Sequence, residues 1–341
     1  MSSGRRRIYG DDHHAFRDSV KRFIAAEVAP NLDSWRHANG VPRAVIAAAG
    51  DAGFLGAAVP EDFGGGGTDD LGFLAVLIEE TVAAGAVGLA LLWALHTGVT
   101  IPFLLEHGTD AQKRHWLPGL SSGRLIGVPA PSTLSSVAAG RIADVVLVSS
   151  GDDGVAVIPL DQQGIVVTPI EENLGGRDAA LADITLNGAS TDETLPGAAT
   201  VSRDLDLWFA ALALACARTA MTLALDYVHA RKVFGRTLAE FENTRFRLAE
   251  LAAELRALTV FVDSCLEARN ARTLSVADAA AARLTADGLC GRAVDQALQL
   301  HGGYGYMREY PISHAFADAR FLQLTALAYS DPRGAVAVGH A

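Results

Sequence analysis

The residues best suited to chemistry fall in two short segments of the C-terminal half. Ala230-Arg-Lys-Val-Phe-Gly-Arg-Thr-Leu238 sets Arg231 close to Phe234 and Gly235, and Gln299-Leu-His-Gly-Gly303 sets Gln299 ahead of a glycine pair. A guanidinium is a planar fork that matches a diphosphate, and glycine lets the backbone approach a ligand closely. The same residues also suit plain helix ends: Arg231 and Lys232 where cations favour the helix dipole, Gly235 and Gly302 where a helix stops. Cys216, Cys265 and Cys290 sit singly in apolar helical patterns, without metal-ligand spacing or a disulfide framework. No metal site is read, and the cysteines are expected to be small core residues of a reduced, cytoplasmic protein.

The elements that must position these residues follow from periodicity. Residues 1–125 read as a helical domain. Asp11 or Asp12 can cap a first helix carrying Phe16, Val20, Phe23 and Ile24 at helical spacing, and Val59 to Gly67 is a Pro- and Gly-rich loop. Residues 126–200 change texture: Val145–Val148, Val155–Ile158 and Ile165–Thr168 are β-branched runs between Gly and Asp, which predicts a small antiparallel β domain. Residues 201–341 return to helix, with Leu207 to Ala230 apolar nearly all round as a central bundle helix would be. Leu248, Leu251, Ala252, Leu255 and Leu258 line a second helix, and Ser275-Val-Ala-Asp278 caps a third. In that third helix Ala277, Ala281, Leu284, Gly288 and Gly291 offer a small-residue face for close packing. The succession implies a mainly α fold: two helical domains flanking a small β domain, the last a four-helix bundle.

With 341 residues, half of them apolar, the chain can bury a large core. Its net charge of -11 argues against nucleic acid as a partner; Arg5-Arg6-Arg7, the only basic run, reads as a solvated tail. Thr81 to Leu105 carries no Asp, Glu, Lys or Arg, but Gly85, Gly88, Gly98 and Pro102 interrupt it. It reads as two buried helices joined by a turn at Ala84–Gly88, with no membrane span and no export signal.

Gln299-Leu-His-Gly-Gly-Tyr-Gly-Tyr-Met-Arg-Glu-Tyr-Pro311, followed by Asp318-Ala-Arg320, resembles the C-terminal signature of the acyl-CoA dehydrogenases. The Arg231 segment resembles that family's Arg-x-x-Phe-Gly motif, and Pro60 to Gly67 and His96 to Gly127 resemble its N-terminal run, so the likeness extends over nearly the whole chain. It implies the same three-domain fold and an FAD cofactor. By resemblance, Arg231 reaches the flavin pyrophosphate, Phe234 packs near the adenine, and Gln299, Gly302 and Gly303 let the backbone approach the adenosine half.

Two departures stand out. Counting without a gap from Arg320 puts Ala326 where the family carries its catalytic glutamate, and alanine cannot take a proton. Positioned proton transfer is worth roughly 10²–10⁴-fold in rate. Between Val128-Pro-Ala-Pro131 and the strand expected to begin at Ile142 only eleven residues remain, Ser132 to Ile142. Two strands and a turn need roughly 13 or more, so the hairpin that faces the flavin ring in the family has no room. No tryptophan lies between Trp116 and Trp208 to replace its ring-facing one. The motifs that remain are those a subunit lends to a neighbour's flavin. The chain therefore resembles the short, base-less subunit of heterotetrameric acyl-CoA dehydrogenases acting on CoA thioesters of steroid side chains. A longer subunit would supply glutamate and hairpin, with electrons leaving through electron-transfer flavoprotein. Two alternatives stay open: a self-sufficient homo-oligomer with a relocated base, whose position by the same resemblance falls at Leu205 between Asp204 and Asp206, Asp206 being the weak candidate, and a non-enzymatic homo-oligomer that binds an acyl group or a protein.

Overall fold

A computed structural model describes residues 6–150, 153–188 and 194–339. The described chain opens on α1 (Asp11–Phe23), α2 (Leu32–Ala38), α3 (Arg43–Asp51), α4 (Gly72–Ala83), α5 (Val87–Leu95), α6 (Ile101–His107) and α7 (Asp110–Ser121). The strands follow: β1 (Gly127–Pro129), β2 (Val145–Ser150), β3 (Gly154–Pro159), β4 (Ile165–Pro169), β5 (Ala182–Leu186) and β6 (Thr194–Pro196). Then come α8 (Ala198–Ala230), a short ribbon of β7 (Lys232–Val233) and β8 (Arg236–Thr237), α9 (Glu242–Asn270), α10 (Val276–His301), α11 (Pro311–Tyr329) and α12 (Pro332–Val338). The fold is mainly helical with a small sheet region, as the residue patterns predict.

The apolar stretch after Thr81 divides at Ala84–Ala86, where Gly85 takes φ 85°, and every residue of α5 is buried. Val87–His107 and Ala198–Ala230 are long and apolar enough to cross a bilayer. In each, however, the most apolar window is packed inside the protein, wholly for the first and 78% for the second. Both are core helices, and α8 and α10 form the most extensive helix pair. Small residues of α10 at Ala279, Ala282, Ala286, Ala293 and Ala297 are buried, and α8 carries buried Ala210, Ala213, Ala217, Ala220 and Ala224. Small side chains on both helices allow the axes to approach closely.

Several expectations are corrected. The buried face of α10 is this alanine stripe, not the one through Leu284 and Gly288, which are exposed. Gly10, not Asp11 or Asp12, is the N-cap of α1; the two aspartates sit in the first turn, where they favour the dipole. Arg6 is not solvated: it is paired with Glu79 and Asp263, and its guanidinium lies 4.7 Å from the Tyr9 ring centroid. A cation can be buried there because α4 and α9 each present a carboxylate. Arg5 lies outside the described residues. Ser275 caps α10 as predicted, accepting from the Asp278 amide. The main sheet, in the order β1-β2-β3-β6, is mixed: β1 pairs with β2 in parallel, while β2–β3 and β3–β6 are antiparallel; β4 and β5 form a separate antiparallel pair. The chain returns to the same end of β1 through residues 130–144, as a parallel pair requires.

Candidate functional site

The diphosphate-suited residues meet where α8 and α10 end. Beyond Ala230 the backbone of Arg231 turns extended (φ -78°, ψ 123°), and the β7–β8 ribbon reverses at Phe234-Gly235, both at positive φ (51° and 81°). Two left-handed residues make a tight hairpin turn with the hand of the strands. Phe234 is thereby set on the tip, 93% exposed. α10 stops at His301 because Gly302 adopts φ 58°, ψ -139°, a region essentially confined to glycine. Tyr227 clamps the two ends: its ring stacks on His301 at 4.0 Å, and its hydroxyl donates to the His301 carbonyl (3.2 Å).

Between these ends runs an open groove of about 460 Å³, lined among others by Arg231, Gln299, Gly302, Gly303, Tyr304 and Glu309. The Arg231 guanidinium lies 5.3 Å over the Tyr304 ring and makes no ion pair or hydrogen bond among the described residues. A Cβ at Gly302 or Gly303 would meet no atom within 4 Å, so packing does not demand glycine at 303; the space above it belongs to the groove. A free guanidinium beside bare backbone fits the diphosphate and adenosine half of a dinucleotide. Four of the five residues singled out in the sequence converge here, and Phe234 does not line the groove. Tyr227, Tyr304 and Glu309 were not singled out. Tyr227 lies four residues before Arg231, one helical turn away on the same face, and the other two lie inside the Gln299–Pro311 motif.

The second place of interest lies at the far end of α8. Ala326 is fully buried on α11. The Ser330 amide donates to the Ala326 carbonyl (3.2 Å), and the Ser330 hydroxyl reaches Asp206 (3.1 Å). Arg283, fully buried, donates to Asp206 Oδ1 (2.7 Å) and to Ser330 Oγ (2.7 Å), and lies over the Phe209 ring. Burial pushes the Asp206 carboxyl above the usual carboxylate range, and Arg283 pulls it back. Asp204 is equally engaged, by Arg269 and Arg203. Neither aspartate beside Leu205 is free to act as a base.

No hairpin occupies residues 130–144, and strand β2 begins at Val145 rather than at Ile142. The short connection instead lies along residues 179–184. Val137 and Ala182 exchange backbone hydrogen bonds (2.8 and 3.2 Å), Ala139 N–H donates to Ala179, Arg141 N–H to Ala180, and Ile184 N–H to Leu134. Leu134, Ser136, Ala139 and Ala180 all take left-handed φ between 49° and 58°, four of the seven non-glycine residues that do so among those described. Such residues persist where surroundings over-determine them, and here the carbonyls and amides of 179–184 do so. The connection also touches α11 directly: Ala138 N–H donates to the Tyr329 hydroxyl (3.4 Å), whose ring packs 5.8 Å from Phe209. Burial pushes that phenol well above the usual tyrosine range. Elsewhere, Cys216 and Cys290 are not solitary: their side chains face each other across the α8–α10 seam, and together with burial this pushes the Cys216 thiol up. Among the described residues no three His, Cys, Asp or Glu side chains gather as metal ligands.

Residues 10–124 match the acyl-CoA dehydrogenase N-terminal domain, and residues 207–326 the acyl-CoA dehydrogenase C-terminal domain. The mitochondrial long-chain specific acyl-CoA dehydrogenase of Sus scrofa is 30% identical, over 93% of this chain and 84% of that protein. The alignment runs over 364 positions against a chain of 341 residues, so parts of that relative have no counterpart here. Among solved structures, an acyl-CoA dehydrogenase from Geobacillus kaustophilus superposes with a TM-score of 0.89 at 25% identity, covering 98% of this chain and 99% of that one. A glutaryl-CoA dehydrogenase from Mycobacterium smegmatis, in complex with FADH2, shares the fold at a TM-score of 0.82 and 19% identity, covering 94% of each chain.

Proposed function

This chain belongs to the acyl-CoA dehydrogenase family, and from that membership we propose that it is the non-base-carrying subunit of an FAD-dependent acyl-CoA dehydrogenase, lending its groove to a flavin whose ring lies in a longer partner subunit. Bound there, FAD would supply the acceptor for the hydride. This chain's part is binding and orientation: Arg231 clamps the pyrophosphate, the Gln299 and Gly302-Gly303 backbone admits the adenosine half, and Phe234 on its hairpin tip reaches toward the adenine from outside the groove. The partner would supply the glutamate and the ring-facing hairpin. Its substrate class, by the same resemblance, is the CoA thioester of a steroid side chain, with electrons passing from the complex to electron-transfer flavoprotein.

One observation carries this reading. No hairpin is present between β1 and β2; the shortened connection instead packs through Ala138 onto Tyr329 of α11, three residues from the fully buried Ala326. A relocated base is disfavoured by the engagement of Asp206 with Arg283. Leu284, Leu324 and Leu327 remain 43%, 71% and 52% exposed on α10 and α11, an apolar face that a partner would cover. The test is flavin content. Expressed alone the protein should carry little FAD; co-expressed with a longer, glutamate-bearing dehydrogenase subunit it should form a yellow complex with about one flavin per pair of chains, since binding energy falls on the assembled site. A fully flavinated, active homo-oligomer would overturn the proposal.

A further inference from the structure

The groove that holds Arg231 also holds a carboxylate. Glu309 lines it, is exposed, and makes no ion pair or hydrogen bond among the described residues. Arg231 is equally unpaired, so two opposite charges share one wall without neutralising each other. An empty carboxylate in a diphosphate groove is a handicap unless something donates to it. A ribose does: its hydroxyls donate hydrogen bonds that a carboxylate accepts, while a phosphate on the same ribose would meet it as a like charge. This is the physical logic by which an acidic residue separates unphosphorylated from phosphorylated dinucleotides.

The distinction matters in this family because cofactor and substrate carry the same handle. A flavin dinucleotide and a CoA thioester both end in an ADP group, and they differ at the ribose, which in coenzyme A bears a 3′-phosphate. Arg231 sees a diphosphate in either case and cannot tell them apart. We propose that Glu309 makes the groove selective for an ADP group whose ribose hydroxyls are free, the form found in flavin dinucleotides, over the 3′-phosphorylated ADP of coenzyme A. The inference rests on the reading of the groove as a dinucleotide site and adds to it the residue that sets its choice.

The probes are ADP and 3′-phosphoadenosine 5′-diphosphate, the nucleotide half of coenzyme A, titrated to millimolar concentration against the full chain by saturation-transfer NMR. Wild type should bind ADP about fivefold more tightly than the 3′-phosphorylated nucleotide, the size expected of one exposed like-charge contact. Glu309→Gln should bring the two affinities together, mainly by improving the 3′-phosphorylated ligand, and Glu309→Asp should keep the preference. Arg231→Ala should weaken both ligands alike. If wild type binds both nucleotides equally and Arg231→Ala still weakens both, the Glu309 assignment is wrong and the groove stands. If neither nucleotide binds, or Arg231→Ala changes nothing, both the assignment and the dinucleotide reading fall.

Discussion

Replacing Ala326 with glutamate restores the residue type that the family uses as its base, and it should not restore the reaction. The substitution adds four heavy atoms at a position with no solvent exposure. Overfilling a packed site costs typically 1–3 kcal/mol. The new carboxyl would lie one helical turn from Ser330, on the same side as the Asp206–Arg283 pair, whose guanidinium is already engaged by Asp206 and Ser330. Arg283 Nε and Nη2 have no hydrogen-bond partner among the described residues, but its single charge is already shared by the Asp206 and Asp287 carboxylates, so a further buried carboxyl would stay protonated, at about 1.4 kcal/mol per unit of upward shift at neutral pH. Together these reach several kcal/mol, a large part of the 5–15 kcal/mol that typically separates folded from unfolded protein. On the catalytic side the gain should be nil, because proton transfer requires reacting atoms held about 3–3.5 Å apart, and the connection between β1 and β2 carries no hairpin to hold a ring there. The assay is acyl-CoA-dependent reduction of a dye acceptor by the purified variant without partner, over straight-chain and steroid thioesters, beside its melting temperature. Ala326→Gln separates volume from ionisation and at neutral pH should melt above Ala326→Glu by the part that protonation costs. Turnover tenfold or more above the wild-type background, with unchanged melting, would refute the reasoning and show that an open ring site exists after all.

Two further outcomes are expected. In the assembled complex Arg231→Ala should weaken flavin retention by on the order of 1.5–3 kcal/mol, read as faster flavin dissociation; a variant that melts earlier yet holds flavin as tightly as wild type would show that Arg231 only ends a helix. Asp318 is pushed up to about 7, first by burial and then by the neighbouring Asp178 carboxyl, with the Gly176 amide opposing. The folded protein thus keeps a proton that the unfolded chain releases near pH 4, so this contribution to stability is full below pH 4 and lost as pH rises to about 7. Asp318→Asn, which keeps the acceptor for Gly176, should be more stable than wild type at pH 8 by an amount that shrinks toward pH 4; a pH-independent difference in urea midpoint would sink this.

The fold was legible because its signals are strong and local: long apolar helices, a Ser275 cap and three β-branched runs leave little choice. The groove was legible as two motifs, since Arg231 and Gln299 each sit at a helix end that their own sequence marks. The missing hairpin could be read as a shortage of residues, which is a chain-length argument and needs no contacts. What fills its place could not be read. The left-handed residues Leu134, Ser136 and Ala139 depend on carbonyls and amides forty to fifty positions later in the chain. The burial of Arg6 likewise requires Glu79 and Asp263 to arrive from two distant helices. Both are tertiary facts without a local signal, and glycine-free left-handed backbone is what sequence patterns least anticipate.

α8 and α11 lie side by side for most of the length of α11. Asp206 is tied to Ser330 at one end, and Tyr227 packs edge-on to Tyr310 at the other, 6.4 Å between ring centroids. At a rise of about 1.5 Å per residue, these ends are roughly 30 Å apart. Energetic coupling between sites usually fades beyond about 7–10 Å. The molecule is therefore divisible in a thermodynamic sense: one end can be sealed, recharged or overfilled while the free energy of binding at the other stays as it was. In a protein built this way, a change at one pole leaves the binding surface at the other free to be kept, tuned or lost on its own account.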